Sequence, residues 1–168
     1  MPTIINPDEL EYKSDPEALE QFDLLTLSPR LWRISKSKHF KFDLRRLDAG
    51  KYSFPYHFHR NAEELIMILS GSMTMRTPDG LKVVNKGQII FFEMGETGAH
   101  QFYNHEALPC EYLDIQTTVG LDVSEYPDSG KINILPFGEI FQKDSQVPYN
   151  NGEENVQAIW DKLTSRKF

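Results

Sequence analysis

The sequence has one cysteine among its 168 residues, Cys110, so no disulfide can form within a single chain. A chain without disulfides is typical of a reducing compartment, and we expect a cytoplasmic protein. Long apolar stretches are also missing, because LIMIL and IIFF are far shorter than the ~20 residues of a membrane-spanning helix. The start, MPTIINPDELEY, has neither the basic nor the apolar region of a secretory signal, and we expect none.

An excess of basic residues is missing as well. The chain carries 18 lysines and arginines against 25 acidic residues, which gives a net charge of −7. Such a surface does not suit nucleic acid or an anionic membrane, so we expect neither as a partner. Hydrophobic residues make up 39% of the chain and aromatic residues 12%, which is enough to build a core. The length favours one domain with appendages over two full domains.

A series of short strand patterns fills residues 39–120. HFKFDLRRL, SMTMRT and EYLDIQTT alternate at the two-residue period of strands with one buried face. LIMIL and IIFFE are continuous apolar runs of strand length, which suit interior strands. TPDGL carries an Asp-Gly turn of the kind that joins hairpin strands. About eight strands in so short a span predict an all-β sandwich or closed barrel over residues 39–120.

Two flanking segments complete the chain. We interpret residues 1–38 as an irregular N-terminal arm with a short helix in PEALEQF, held to the barrel by the apolar groups of LSPRLWRI. We interpret residues 121–168 as a C-terminal extension that ends in a helix, and we expect this helix to pack on the barrel or on a partner subunit. Four apolar residues share one face of that helix: Val156, Ile159, Trp160 and Leu163.

The stretch PYHFHRNAEELIMILSG contains the densest set of ionisable groups. His57 and His59 are two residues apart, so on a strand they point to one face with Cβ atoms roughly 7 Å apart. Glu64 shares strand parity with Ile66 and Ile68, and a carboxylate on an apolar face is costly to bury unless it is paired or ligated. The pattern therefore predicts a metal site.

A further ligand is expected in FFEMGETGAHQFYN, where His100 follows a Gly-rich turn. Three neutral imidazoles and a carboxylate suit a divalent transition metal better than calcium or magnesium, which prefer oxygen ligands. An HxH pair alone is more often structural, and a lone His100 more often a hydrogen-bonded core residue. Glu63 is the rival to Glu64; we prefer Glu64 for its parity and expect Glu63 to be solvated or to support the ligands from behind.

Taken together, these residues resemble the two sequence motifs of the cupin superfamily, and in particular small single-domain cupins of bacteria. The first motif is matched by Gly50, His57, His59, Glu64 and Gly71, with one extra residue between Gly50 and His57. The second is matched by Gly87, Gly95, His100 and Asn104, with Glu93 in place of the usual proline and a longer loop before His100. The resemblance covers about half of the chain.

The resemblance implies a double-stranded β-helix, or jelly-roll barrel, with one metal ion per chain. It implies that the metal ligands are His57, His59, Glu64 and His100, and that the metal is Zn, Mn, Fe or Ni. Barrels of this family often dimerise through their edge strands, so a homodimer is expected. The departures in the motifs concern the shape of loops more than the set of ligands.

The sequence does not decide whether two groups of polar residues face the interior of the barrel or the solvent. Tyr112, Asp114 and Gln116 alternate on one strand; facing inward, they would line a pocket and Asp114 could act as an acid or a base. We favour the outward orientation, with the intervening Leu and Ile in the core. Of Arg45 and Arg46, one could clamp an anionic substrate, although a surface position is favoured for both.

The functional prediction is a metal-binding cupin, with a metal-dependent enzyme as the first hypothesis. The reaction would be of the oxygenase, decarboxylase or isomerase type on a small polar organic molecule. The alternative is a non-catalytic module that binds a sugar or an organic acid. A purely structural role is the least favoured, because the set of metal ligands is complete.

Overall fold

The computed structural model describes residues 1–165, and β-strands dominate its secondary structure. The strands are β1 Glu11–Lys13, β2 Leu24–Ser28, β3 Phe40–Leu47, β4 Phe58–His59, β5 Glu64–Ser70, β6 Ser72–Thr77, β7 Gly80–Asn85, β8 Ile89–Phe92, β9 Gln101–Tyr103, β10 Cys110–Thr117, β11 Asp122–Tyr126, β12 Lys131–Leu135 and β13 Glu139–Gln142. The α-helices are α1 Leu31–Ser35 and α2 Val156–Thr164. No helix in the described part of the chain is long and apolar enough to cross a membrane.

The strands form three antiparallel sheets. The largest has the order β1-β2-β3-β10-β5-β8, the second β13-β12-β11-β4 and the third β7-β6-β9. The hydrophobic core lies between the first and third sheets, where Ile68 of β5 and Met73 of β6 are fully buried. The eight strands β3–β10 fall in the segment for which about eight were predicted, and β6 and β7 form the hairpin predicted at the Asp-Gly turn.

The N-terminal arm is more regular than expected. Instead of an irregular segment, it supplies β1 and β2, and β2 pairs with β3 at the edge of the largest sheet. An unpaired β3 would leave a row of backbone donors and acceptors open, and β2 satisfies them. PEALEQF contains only a single 3-10 turn at Glu20–Phe22. Leu27 and Leu31 are 2% and 5% exposed, so LSPRLWRI holds the arm in place as predicted.

The C-terminal extension joins the fold through its first strand. β11 pairs with β4 on one side and with β12 on the other. The predicted helix forms as α2, but the expected packing on the barrel is not seen, since every residue of α2 is exposed. The reason is that the residues from 136 to 155, which lead to α2, are themselves exposed and bring it into no core.

The outer face of the largest sheet is apolar, which overturns the favoured orientation of the β10 side chains. The strand registers place two rows of apolar side chains on this face: Leu44, Leu113, Met67 and Ile89 in one row, and Phe42, Ile115, Leu65 and Phe91 in the other. The alternate residues of these strands face the interior, where Tyr112 is 2% exposed and Asp114 is 8% exposed. The polar alternation of β10 therefore marks a pocket wall and not a solvated face.

Candidate metal centre

The four predicted ligands lie close together in the structure. Ligand atoms of His57, His59 and Glu64 all lie within 4.8 Å of one another, which makes these three residues a candidate metal site. His100 borders it, with Nε2 at 3.2 Å from Oε2 of Glu64. The rings of His57 and His100 have centroids 4.9 Å apart. Glu64, and not Glu63, belongs to the cluster, as its parity with Ile66 predicted.

A two-way backbone pairing brings the sequence-distant histidines together. The His100 N–H donates to the His57 carbonyl oxygen at 2.9 Å, and the His57 N–H donates to the His100 carbonyl oxygen at 3.2 Å. The loop before His100 departs from the family pattern but is tightly folded. A Cβ atom on Gly98 would lie 1.9 Å from the carbonyl oxygen of Glu93, so only glycine fits there. The longer loop therefore still delivers His100 to the cluster.

Backbone carbonyl oxygens fix the orientation of two of the imidazoles. Nδ1 of His57 lies 2.8 Å from the carbonyl oxygen of Pro55. Nδ1 of His100 lies 3.0 Å from the carbonyl oxygen of Gly98. Each Nδ1 must carry the proton and donate it to its carbonyl partner, which leaves the lone pair on Nε2. This is the tautomer that metal-binding histidines adopt when they coordinate through Nε2.

Asp122 orients the remaining imidazole. Its Oδ2 lies 2.5 Å from Nδ1 of His59, and its Oδ1 accepts the backbone N–H of Asn61 at 2.9 Å. Burial opposes ionisation of Asp122, but the hydrogen bonds from His59 and from backbone N–H groups hold its pKa below the usual value. Burial also disfavours the charged form of His59, yet its contacts with Asp122 and Glu64 raise its pKa. A carboxylate behind a ligating imidazole is the usual support of a metal site.

The sequence interpretation missed Asp122 because it lies 63 residues after His59, in the segment taken as an extension. Ser124 of the same strand also reaches the imidazole, with Oγ at 3.2 Å from Nδ1 of His59. The available signal was the alternation of polar residues in DVSEY, a strand pattern that begins with an acid. Alternation alone does not say which strand the segment pairs with, so the link to His59 needed the structure.

The environment of Glu64 fits a bound cation. Its Oε2 is buried, and no donor among residues 1–165 satisfies it. The neighbouring Nε2 of His100 presents a lone pair, because Nδ1 of that ring carries the proton. Two acceptors that face each other in a buried place are unfavourable, and a cation would turn both into ligands. Burial raises the pKa of Glu64, so a proton is the competing partner.

The imidazoles of His57 and His100 are neutral over the physiological pH range. Burial and the nearby His100 lower the pKa of His57 to about 3. Burial lowers the pKa of His100 to about 4. Metal binding requires neutral imidazole, so neither ring has to lose a proton before it can act as a ligand. A nitrogen-rich set with one carboxylate suits a divalent transition metal.

The candidate ligands open onto a cavity of about 220 Å³. Three cationic side chains line it together with the cluster: Arg30, Lys41 and Arg45. The surface position expected for Arg45 is wrong, because this residue is 7% exposed and its Nε donates to Oδ2 of Asp114 at 3.0 Å. Arg46 is on the outer side and pairs with Asp48, as expected.

The remaining wall of the cavity is polar. It is formed by Asp114 and Gln116 of β10 and by Ser124, Tyr126 and Asn133 of the C-terminal extension. Oδ1 of Asn133 is buried and has no partner among the described residues, so it is available to a ligand donor. The ring of Tyr126 stacks against His57 with centroids 5.9 Å apart. The site therefore combines a candidate metal cluster, cations and neutral hydrogen-bonding groups.

Comparison with known proteins gives one match to a domain model and several matches to solved folds. A family model described as "Cupin domain" matches residues 44–116. A sugar phosphate isomerase of the cupin superfamily from Silicibacter pomeroyi matches over 88% of this chain and 98% of its own, with a TM-score of 0.75 and 20% identity. A search of the curated proteins gave no match.

Two further solved structures share the fold. A candidate sugar phosphate isomerase from Acidithiobacillus ferrooxidans matches over 74% of this chain and 80% of its own, with a TM-score of 0.66 and 23% identity. A polyketide cyclase from Streptomyces resistomycificus matches over 70% of this chain and 80% of its own, with a TM-score of 0.56 and 22% identity. At these identities the likeness establishes the fold, and it confirms the predicted jelly roll. Residues 44–116 of the chain match a cupin domain, and this domain carries the candidate His57/His59/Glu64 metal site.

Proposed function

We propose that this chain is a metal-dependent enzyme that acts on a small anionic organic molecule. The single observation that carries the proposal is the shared cavity, which joins the candidate metal ligands to the cationic wall of Arg30, Lys41 and Arg45. Asp114 balances the buried charge of Arg45, but Nη2 of Arg45 has no acceptor among the described residues and is free to bind a ligand. Recognition of a carboxylate or phosphate is a task that the planar guanidinium performs well.

The proposed ligands are His57, His59, Glu64 and His100, with zinc, manganese, iron or nickel as the metal. A metal held there would polarise a substrate oxygen or lower the pKa of a bound water. The protein's own contribution is orientation: Arg45 is fixed by Asp114, and Asn133 offers an unpaired carbonyl oxygen to a substrate hydroxyl. Two structural neighbours are named as sugar phosphate isomerases, one of them provisionally, so isomerisation of acidic sugars is the reaction to assay first.

The first experiment measures metal content by elemental mass spectrometry on untagged protein. The double variant His57→Ala/His100→Ala tests the site, and His39→Ala/His105→Ala is the matched control, since both of its histidines are exposed. We expect about one transition-metal ion per chain in the wild type and in the control, and background content in the double variant. Equal metal content in all three proteins would show that the ligand assignment is wrong.

The second experiment tests catalysis on the metal-loaded protein. A panel of sugar phosphates, sugar acids and small keto acids is followed by proton NMR, with the double variant as the blank. We expect turnover of an anionic member by the wild type alone. Binding without turnover across the panel would instead support the non-catalytic module. That alternative has one observation in its favour, since the carboxylate of Asp114 is neutralised by Arg45 and is not a free base.

A further inference from the structure

The two arginines of the cavity belong to a second cavity as well. A space of about 280 Å³ lies against the N-terminal arm, and Arg30, Arg45 and Phe54 line both this space and the one at the metal cluster. The arm side adds hydroxyl and ammonium groups from Lys13, Ser14, Thr26 and Ser28, with Asp15 as the acidic member of the wall. The two guanidiniums therefore lie between the cavity at the metal cluster and the second cavity, which is lined by the N-terminal arm.

Both guanidiniums are held by their inner nitrogen and keep donors free. Nε of Arg45 donates to Asp114 at 3.0 Å, and Nη1 donates to the hydroxyl of Thr26. Nε of Arg30 donates to Asp43 at 2.7 Å. Within residues 1–165 no acceptor pairs with either terminal nitrogen of Arg30 or with Nη2 of Arg45. Because a guanidinium has five N–H donors, most of this hydrogen-bonding capacity remains for a ligand.

The arrangement places like charges side by side. Burial lowers the pKa of Arg30, and so does the positive charge of Arg45 nearby. Asp43 is 1% exposed and also accepts the Leu31 N–H at 2.8 Å, so it anchors Arg30 at this spot and prevents it from swinging into solvent. Two anchored guanidiniums that repel each other at a cavity wall form a preorganised site for an anion.

We propose that Arg30 and Arg45 bind the phosphate group of a phosphate monoester, and that the N-terminal arm is therefore part of the substrate site. A phosphate group is favoured over a carboxylate because its three terminal oxygens can accept hydrogen bonds from the free N–H donors of both guanidiniums at once. This inference rests on the proposed function and specifies its substrate class.

The strand register separates the arginine end of the cavity from the metal cluster. Arg45 of β3 lies opposite Tyr112 of β10, whereas Glu64 of β5 lies opposite Gln116, four residues further along β10. Both side chains nevertheless line the same cavity, so a phosphate ester held by the arginines would extend from them towards the candidate ligands.

Isothermal titration calorimetry on chelator-treated protein tests the subsite without interference from metal. The probes are inorganic phosphate and glycerol 3-phosphate, with malonate as the carboxylate competitor. We expect both phosphates to bind the wild type, and Arg30→Gln to weaken binding by about tenfold or more, because it removes a charge-assisted contact. Arg33→Gln is the matched control, since Arg33 is an exposed arginine of α1, three residues after Arg30, and lies outside both cavities.

A second variant guards against misfolding. Arg30→Lys keeps the positive charge beside Asp43 but cannot form the bidentate contact, so we expect it to fold and to bind phosphate more weakly than the wild type. Absence of phosphate binding to the wild type, equal affinity in Arg30→Gln, or tighter binding of malonate would each overturn the assignment. If metal loads normally while phosphate fails to bind, the subsite is wrong and the proposed function stands. If phosphate binds but metal never loads, the proposed function fails.

Discussion

The N-terminal arm and the C-terminal extension, which flank the cupin domain, both contribute residues to the candidate site. They differ in what they add to the hydrophobic core. The arm supplies Thr26 and Arg30 to the walls of the cavities, and the extension supplies Tyr126 to the wall at the metal cluster and Asp122 to the imidazole of His59. Among residues 1–165, the buried apolar side chains of the two flanks are Leu24, Leu27 and Leu31 of the arm, whereas residues 136–165 of the extension are exposed throughout. A flank can therefore complete a site through one well-paired strand without adding to the hydrophobic core.

The two halves of the extension also differ in burial: β11 has buried residues, whereas α2 is exposed. β11 pairs with β4, which carries His59, and its residues Asp122, Ser124 and Glu125 are buried. α2 has an apolar stripe in which Trp160 is 62% exposed. The extension thus holds a strand that supports the candidate site and an exposed helix within about 40 residues. The expected homodimer, and the packing of this helix on a partner subunit, stay predictions.

The largest predicted effect is on the free energy of unfolding, and it tests whether the arm is packed and the C-terminal helix is not. Leu31→Ala should lower the free energy of unfolding by about 2–4 kcal/mol, because it opens a cavity where the arm meets the barrel. Trp160→Ala should change it by no more than about 0.5 kcal/mol, because an exposed side chain loses little on truncation. Both values come from guanidinium denaturation at one protein concentration. An equal loss in the two variants would mean that α2 is packed in solution and that the contrast between the flanks is wrong.

The sequence could place His57, His59 and Glu64 in one cluster because the signal for these residues is local. His57 and His59 share a strand face, and Glu64 could be chosen over Glu63 by parity with buried isoleucines. His100 followed from the spacing of the second motif. The two-residue period of a strand and the spacing of the motifs are enough to group these residues, so the cluster could be predicted from the sequence.

The opposite wall could not be predicted, for two physical reasons. Asp122 meets His59 through a pairing of strands 63 residues apart, and alternation does not identify a strand's partner. Asp114 and Arg45 were assigned to the wrong face because apolar residues were taken as the inner side of the sheet. In this fold both faces carry apolar residues, and the outward Leu113 pairs with Leu44 and Met67.

The next effect concerns the extension's role in metal binding. Asp122→Asn keeps the shape of the side chain but removes the negative charge that orients and polarises His59. We expect metal affinity to fall by about 10–100-fold, the usual cost of losing a carboxylate behind a ligating imidazole. Competition with a chelator of known affinity measures it. Asp128→Asn is the control, since Asp128 lies in the same flank but pairs with Arg76 on the surface. Unchanged affinity in Asp122→Asn would confine the metal site to the central domain.

The smallest expected effect is a pH dependence at the point where the extension is tied to the central domain. Glu125 of β11 accepts hydrogen bonds from Arg60 at 2.5 Å and from Lys143 at 2.6 Å. Burial opposes its ionisation, but the bonds from Lys143 and Arg60 hold its pKa below the usual value. A carboxyl with a lowered pKa in the folded state stabilises that state above its unfolded pKa, about 4.3, and loses this contribution as the pH falls through the lowered value.

Glu125→Gln should therefore be less stable than the wild type at pH 7, by about 1 kcal/mol or less because Arg60 and Lys143 are about half exposed. The gap between the two proteins should narrow below about pH 4.3 and close at still lower pH, where the wild-type carboxyl is protonated and also neutral. Urea denaturation at a series of pH values measures the gap, with Glu139→Gln as the control at an exposed position of the same flank. A gap that is constant with pH would mean that the ion pairs of Glu125 contribute nothing. The extension would then be held to the central domain by the pairing of β11 with β4 alone.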